Sequence, residues 1–326
     1  MASARAEAGR RWLGDPRLFY LLPLLALAVP YLVNDYIQYV ANLILVYVLV
    51  GVGFNIVIGN LGQLAFANAA FFGIGAYTTG ILMYHLQAPF LLALLAAGAV
   101  GALAGALVSL PALRGIRGFY LAIITLAFGE LMHWVYVHAE PVTLGSMGLH
   151  VPLPSVFGIA LKDDSSKFYV FLAVVLIVVV ATSNLLRSRF GRAFMSIRDN
   201  ELAAASMGIP TARYIVLAFA WSGFVVGVGG GLYAALVRQV APDAFNLLEL
   251  IVHFAIVTVG GLASLGGSVI GAVVLTAAPE FMQDFPGFDE LLLASLMILI
   301  LLFLPRGFVS LLVRAVPALR DRYYRE

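Results

Sequence analysis

Side chains able to do chemistry are sparse in this chain, and few stand close together. Five histidines (His85, His133, His138, His150 and His253) form no His-Glu-x-x-His zinc pair. There is no cysteine, which removes thiol catalysis, cysteine-based zinc sites and disulfides. Neither Lys162 nor Lys167 follows a glycine-rich loop, so the sequence holds no P-loop for ATP. No nucleophile–base pair and no paired acids suggest a membrane enzyme. One acid stands out. Glu130 lies eleven residues into an apolar run, ~16 Å from its start at 1.5 Å per residue. At that depth in a membrane an acid costs ~2.5–3.5 kcal/mol on insertion scales, which calls for a partner or a role. His133 and Trp134 follow at i+3 and i+4 on the same face. Three chemistries are open to Glu130: contact with a substrate amine or a gate, a bond to His133, or a contact holding two membrane subunits together. Gln63 and Asn68 sit at the glycine-rich start of another apolar run. A helix broken there would turn backbone N–H groups and a positive dipole end toward a carboxylate, while close packing of small residues is the plainer reading. His253 reads as a satisfied buried histidine.

The elements that must position these residues are membrane helices. Of 326 residues, 62% are apolar and 11% charged, against ~25% charged in a soluble domain. The mean hydropathy of +1.00 agrees. A net charge of +2 without a run of like charges gives no footprint for nucleic acid. The expected fold is an all-α integral membrane protein with about ten transmembrane helices, at 18–34, 36–58, 64–84, 89–111, 119–138, 168–186, 213–236, 249–263, 268–282 and 289–304. The eighth and ninth are short and parted only by Ser264-Leu-Gly-Gly267, the mark of broken helices around a transport path. With both termini cytoplasmic, sixteen Lys and Arg fall inside and three outside. This divides the chain into a cytoplasmic tail 1–17, a membrane domain 18–312 and a cytoplasmic tail 313–326, with an external loop at 139–167. A signal peptide cleaved after Ala26-Leu-Ala28 is a rival reading of the first span, and an uncleaved span is the simpler one. Ile56-Val-Ile-Gly-Asn-Leu-Gly62 and Val257-Thr-Val-Gly-Gly-Leu262 form a faint internal echo.

The internal loop 187–212 carries the strongest local signals. Asp199 or Asn200 is suited to cap a helix, and Glu201 falls in its first turn, where the dipole favours an anion. Leu202-Ala-Ala-Ala-Ser-Met207 forms helix readily, Gly208 stops it and Pro210 prevents continuation. The spacing predicts a short isolated helix over 199–207, marginal alone in water. It rests either on lipid headgroups or on a soluble partner.

This loop resembles the "EAA"-type loop of ABC-importer permeases, through Glu201, Ala203, Ala204, Gly208 and Pro210, with Arg198 and Asn200 beside them. Gly62-Gln-Leu-Ala-Phe-Ala-Asn-Ala-Ala-Phe-Phe-Gly-Ile-Gly-Ala-Tyr77 is similar to a signature of branched-chain amino acid permeases. Arg117-Gly-Phe-Tyr-Leu-Ala-Ile-Ile-Thr-Leu-Ala-Phe-Gly-Glu130, Thr143-Leu-Gly-Ser-Met-Gly-Leu149, Gly260-Gly-Leu-Ala-Ser264 and Leu304-Pro-Arg-Gly307 fit the LivM-type subunit. The chain departs from the family at Ala65-Phe66-Ala67-Asn68, often Ser-Leu-Gly-His, and at Ala263 and Ser268, often Gly and Pro. The resemblance implies a multi-pass bacterial inner-membrane subunit that does no chemistry. It would move branched-chain or related small amino acids by alternating access, with urea or short amides as the close alternative. An ion-coupled transporter is the alternative of another class. The implied coupling residues are Arg198, Asn200, Glu201, Ala203, Ala204, Gly208 and Pro210. The implied pathway residues are Gly62, Gln63, Asn68, Glu130, Gly260 and Gly261. The implied partners are a LivH-like second permease, two ATPase subunits carrying ATP and magnesium, an extracytoplasmic substrate-binding protein and membrane lipid. No cofactor is expected in this chain itself.

Overall fold

The computed structural model describes residues 33–156 and 158–282 and, singly, residues 30, 295, 298, 302, 307 and 308. The first and tenth expected spans and the cleavage site at Ala28 therefore lie outside the described residues, apart from those isolated positions.

The described chain is a bundle of apolar helices, the form in which a backbone satisfies its own hydrogen bonds in lipid. Helix α1 (Asp35–Asn55) runs on through a π-helical turn, Ile56–Asn60. Residues 61–67 are non-helical, and α2 (Asn68–His85) starts beyond them. Helix α3 (Phe90–Ser109) tightens into a 3-10 turn, Leu110–Arg114, and ends at Gly115. Then come α4 (Phe119–His138), a single turn α5 (Glu140–Thr143) and three two-residue strands, β1 (Leu149–His150), β2 (Ser155–Val156) and β3 (Ile159–Ala160). Helix α6 (Asp164–Arg187) leads to α7 (Arg189–Asp199), α8 (Glu201–Ser206) and α9 (Thr211–Val237). Strand β4 (Gln239–Val240), α10 (Leu247–Gly260) and α11 (Leu265–Met282) complete the described part.

Among the described residues five helices, counting α1 and α3 with their terminal turns, are long and apolar enough to cross a membrane. Helix α10 is not: 14 residues reach only ~21 Å, against ~30 Å of hydrocarbon. It turns back at 261–264 into α11, so the expected short pair is a helical hairpin. The expected third span at 64–84 is broken, its first residues extended and its helix delayed to Asn68.

Helix α9 is the axis of the bundle and packs on α1, α2 and α3. Its apolar window is 72% buried, against 22% in α4 and 28% in α6, which places those two at the rim. Small residues let α9 touch α3 backbone to backbone. A Cβ added at Gly101 would lie 2.2 Å from the Gly223 carbonyl oxygen, and one at Gly223 would lie 2.1 Å from that of Gly101. In lipid, where helices gain little from burying apolar surface, such contact supplies the dispersion energy that joins them.

The loops sort to two ends. At one end Arg117 meets Glu201 and Gly62 meets Arg198. At the other, β1 pairs antiparallel with β4, Leu149 opposite Val240 and His150 opposite Gln239. This is the sorting that alternating spans require.

Candidate functional site

Residues 61–67, 115–118 and 187–210 come together at one end of the bundle. Ser188 caps α7, its hydroxyl accepting from Phe190 N–H at 3.1 Å. Gly191, Ala193, Phe194 and Ile197 then bury one face while Arg192, Met195 and Ser196 stay exposed. Asn200 is the cap of α8, its side-chain oxygen accepting from Ala203 N–H at 3.0 Å. Gly208 adopts φ +84° and closes a Schellman motif: Gly208 N–H donates to Ala205 O at 3.0 Å, and Ile209 N–H to Ala204 O at 3.1 Å. The expected helix 199–207 is thus the six residues of α8, and it is not isolated, because α7 precedes it directly. The signal for α7 lies in the sequence: Phe190, Ala193, Phe194 and Ile197 follow the i, i+3, i+4, i+7 pattern of a helix face.

One face of α8 is held and the other is open. Ala204 is buried and Ala203 exposed. Glu201 Oε1 lies 2.6 Å from Arg117 Nη1, in the loop between α3 and α4, a partner that the sequence reading did not supply. Leu202 is 80% and Met207 83% exposed. Arg198 backs onto Gly62, where a Cβ would lie 2.7 Å from Arg198 Cγ. Gly62, at φ +74°, is therefore a seat for α7 as well as the start of the break before α2.

The break leads into a buried polar chain. Asn68 Nδ2 lies 3.2 Å from His253 Nδ1, and His253 Nε2 lies 3.0 Å from Glu249 Oε1. Tyr47 donates its hydroxyl to the same carboxylate oxygen at 2.8 Å. Phe72 meets His253 edge-on, with ring centroids 5.4 Å apart. His253 is buried but not fully satisfied, unlike its sequence reading: the 3.0 Å approach of its Nε2 to Glu249 falls short of hydrogen-bond geometry among the described residues, and its contacts link α2 to α10 and, through Glu249, to α1. Gln63 is also buried, with its Oε1 unpartnered among the described residues.

Asn55 fastens the turn of the hairpin. Its amide donates to Ser264 O at 3.0 Å and Ser268 Oγ at 2.7 Å, with a longer contact to Gly261 O at 3.4 Å. Its oxygen accepts from Ala263 N–H at 2.8 Å. Gly260 abuts α11, where its Cβ would lie 2.1 Å from Gly267 O, and Gly261 holds φ +124°. Both serve the hairpin turn directly. Phe308 N–H donates to Val259 O at 2.9 Å, and a Cβ at Gly307 would lie 2.7 Å from Gly261 Cα, which brings these two residues to the same turn.

Glu130 is exposed on the rim helix α4, and among the described residues it makes no hydrogen bond and no ion pair. The expected Glu130–His133 bond is not formed; among the described residues His133 Nδ1 is buried without a hydrogen-bond partner. Glu130 opens instead on a shallow lateral cleft with Phe66, Leu126, Asn246, Leu247 and Leu250.

Five helices of this length and apolarity, beside a short helical hairpin and a broken span, define a multi-pass helical membrane protein. Residues 36–304 match the family described as "Branched-chain amino acid transport system / permease component", and the chain belongs to that family. It is 33% identical, over 90% of its length, to the high-affinity branched-chain amino acid transport system permease protein LivM of Escherichia coli K12, covering 75% of that protein. It is 25% identical to LivH of Salmonella typhimurium, over 81% of this chain and 91% of that one. To BraD of Pseudomonas aeruginosa it is 26% identical, over 85% and 97% of the two chains.

Proposed function

We propose that this chain is one transmembrane subunit of an ATP-driven importer of branched-chain or related small amino acids in a bacterial inner membrane. The end bearing α7 and α8 is its cytoplasmic face, as the sixteen-to-three division of Lys and Arg requires. Arg198, Asn200, Glu201, Ala203, Ala204, Gly208 and Pro210 form the coupling element. There an ATPase subunit, carrying ATP and magnesium, docks and drives alternating access. A second, LivH-like permease, a second ATPase and an extracytoplasmic binding protein complete the assembly. Gly62, Gln63, Asn68, Gly260 and Gly261 border the path, at the broken span and the hairpin.

The observation that carries this reading is α8 itself. A six-residue helix is too short to persist alone. Here it is capped at both ends, pinned by Arg117, and presents Leu202 and Met207 outward. Such an arrangement keeps a small apolar surface in place for another protein.

The test is a charge reversal in the assembled transporter. Glu201→Arg sets two cations together, so ATP-dependent uptake should fall at least ~10-fold with membrane insertion intact. Pairing it with Arg117→Glu should restore much of the uptake. Normal uptake by Glu201→Arg alone would contradict the coupling role.

A further inference from the structure

The joint between α6 and α7 gathers positive charge with nothing to balance it. Arg187 ends α6, and Arg189 and Arg192 open α7, three residues apart and so on one side of that helix. All three are exposed. Their side chains are held near the joint. Arg192 Nη1 donates to the Arg187 carbonyl oxygen at 3.4 Å, and the Arg189 guanidinium lies 5.1 Å from the centre of the Phe190 ring. Among the described residues no carboxylate pairs with any of them, whereas Arg117 at the same end is held by Glu201. The next acid along the chain is Asp199, at the far end of α7. Like charges gathered this closely repel, and a bound anion relieves the repulsion.

The membrane sets the nature of that anion. The exposed residues of α6 are Ala173, Ile177, Val180, Asn184 and Arg187, which recur every three or four positions and form one stripe. Because α6 lies at the rim of the bundle, the apolar part of the stripe faces lipid. Arg187 stands ~10 Å beyond Val180 on the same stripe, the depth of the headgroups when Val180 lies among acyl chains. We infer that this joint binds an anionic phospholipid. The phosphodiester sits among Arg187, Arg189 and Arg192, Asn184 meets the ester oxygens, and an acyl chain lies along Ala173, Ile177 and Val180. Guanidinium groups suit a phosphate, since each offers paired N–H donors in a planar fork. An acidic protein surface is the poorer occupant, because Arg187 continues a lipid-facing stripe and not the open face of α8. The site requires only that the chain spans a membrane, so it goes beyond the importer reading and does not depend on it.

The test is lipid titration followed by native mass spectrometry, on the full chain purified with its accompanying subunits. Dioleoyl phosphatidylglycerol and dioleoyl phosphatidylcholine carry the same acyl chains and differ in net charge. Phosphatidylglycerol should bind at least ~10-fold more tightly, since each basic residue near a membrane surface contributes ~5-fold. Arg187→Gln and Arg192→Gln should each weaken it ~5-fold and leave phosphatidylcholine unchanged. Arg187→Lys keeps the charge and should lose less. Arg114→Gln removes an exposed arginine from the connection between α3 and α4 and should change neither lipid. Equal affinity for the two lipids overturns the site. So does wild-type affinity in Arg187→Gln and Arg192→Gln, or a loss in Arg187→Lys as large as in Arg187→Gln. Displacement of the lipid by excess glycerol 1-phosphate would make the joint a site for a soluble anion. Release of an ATPase subunit from Arg192→Gln, at unchanged lipid affinity, would make it a protein contact. Either result overturns the proposal as well.

Discussion

Replacing Asn55 with alanine should loosen the hairpin of α10 and α11 more than any change of similar size elsewhere on α1. Three bonds of good length are lost: those to Ser264 O at 3.0 Å and Ser268 Oγ at 2.7 Å, and that from Ala263 N–H at 2.8 Å. Their partners fare differently. Ser264 O keeps Ser268 N–H at 3.0 Å, and the Ser268 hydroxyl keeps Ser264 O at 3.3 Å. Ala263 N–H has no other acceptor among the described residues. Bonds within membrane proteins average ~0.6 kcal/mol and reach ~1.7, because the unfolded chain in lipid also finds partners. Three of them give ~2–5 kcal/mol, with the upper part of that range favoured by the orphaned N–H. Equilibrium unfolding in mixed micelles measures the loss directly. Asn55→Asp is the informative companion. It keeps an acceptor for Ala263 N–H but sets a carboxylate oxygen against Ser264 O, so it should be no more stable than Asn55→Ala. A loss below ~0.5 kcal/mol for alanine, or an aspartate variant as stable as wild type, would refute the account of Asn55 as the fastener.

Gly101→Ala forces apart the α3 and α9 backbones and should cost ~1–3 kcal/mol in the same assay. Gly129→Ala is its control, because a Cβ there meets only Phe66 O at an ordinary 3.5 Å; equal losses from the two would contradict the close-approach argument. Gly208→Ala meets nothing within 4 Å, so its cost comes from φ +84° alone, ~1–2 kcal/mol, confined to α8. Hydrogen exchange should therefore speed up in 201–209 and stay unchanged in α9.

Spans and caps were legible because their causes are local. Apolar runs ended by charges and by Gly or Pro marked the helices, and the residues from Asn200 to Pro210 read as a start and a stop. The short eighth and ninth runs foretold a broken pair, and the glycine-rich stretch from Gly62 foretold the delay before α2. What stayed hidden joins distant parts of the chain. Asn55 and Ser264 are 209 residues apart, Tyr47 and Glu249 202, and Asn68 and His253 185; nothing in the spacing of either partner names the other. Helix α7 was hidden for a different reason. Its face pattern was present, but Arg187, Arg189, Arg192 and Arg198 lie in or beside it, and in a membrane protein such a stretch reads first as a loop. Glu130 was found as an oddity by depth alone; its freedom from His133 and its place in a cleft depend on where α2 and α10 run.

The arm from α6 to α8 has few moving parts. A single extended residue, Ser188 at φ −79° and ψ −175°, joins the 24-residue α6 to the 11-residue α7. Another, Asn200 at φ −160° and ψ 107°, joins α7 to α8. Both joints are locked by their own side chains, which cap the next helix. Ordering a free residue costs ~1–2 kcal/mol, and here that loss was taken on folding. A displacement applied at Leu202 or Met207 therefore meets a linkage with little backlash. It is not spent in straightening slack chain. It reaches Gly62, where α7 bears on the backbone without a side chain between to give way.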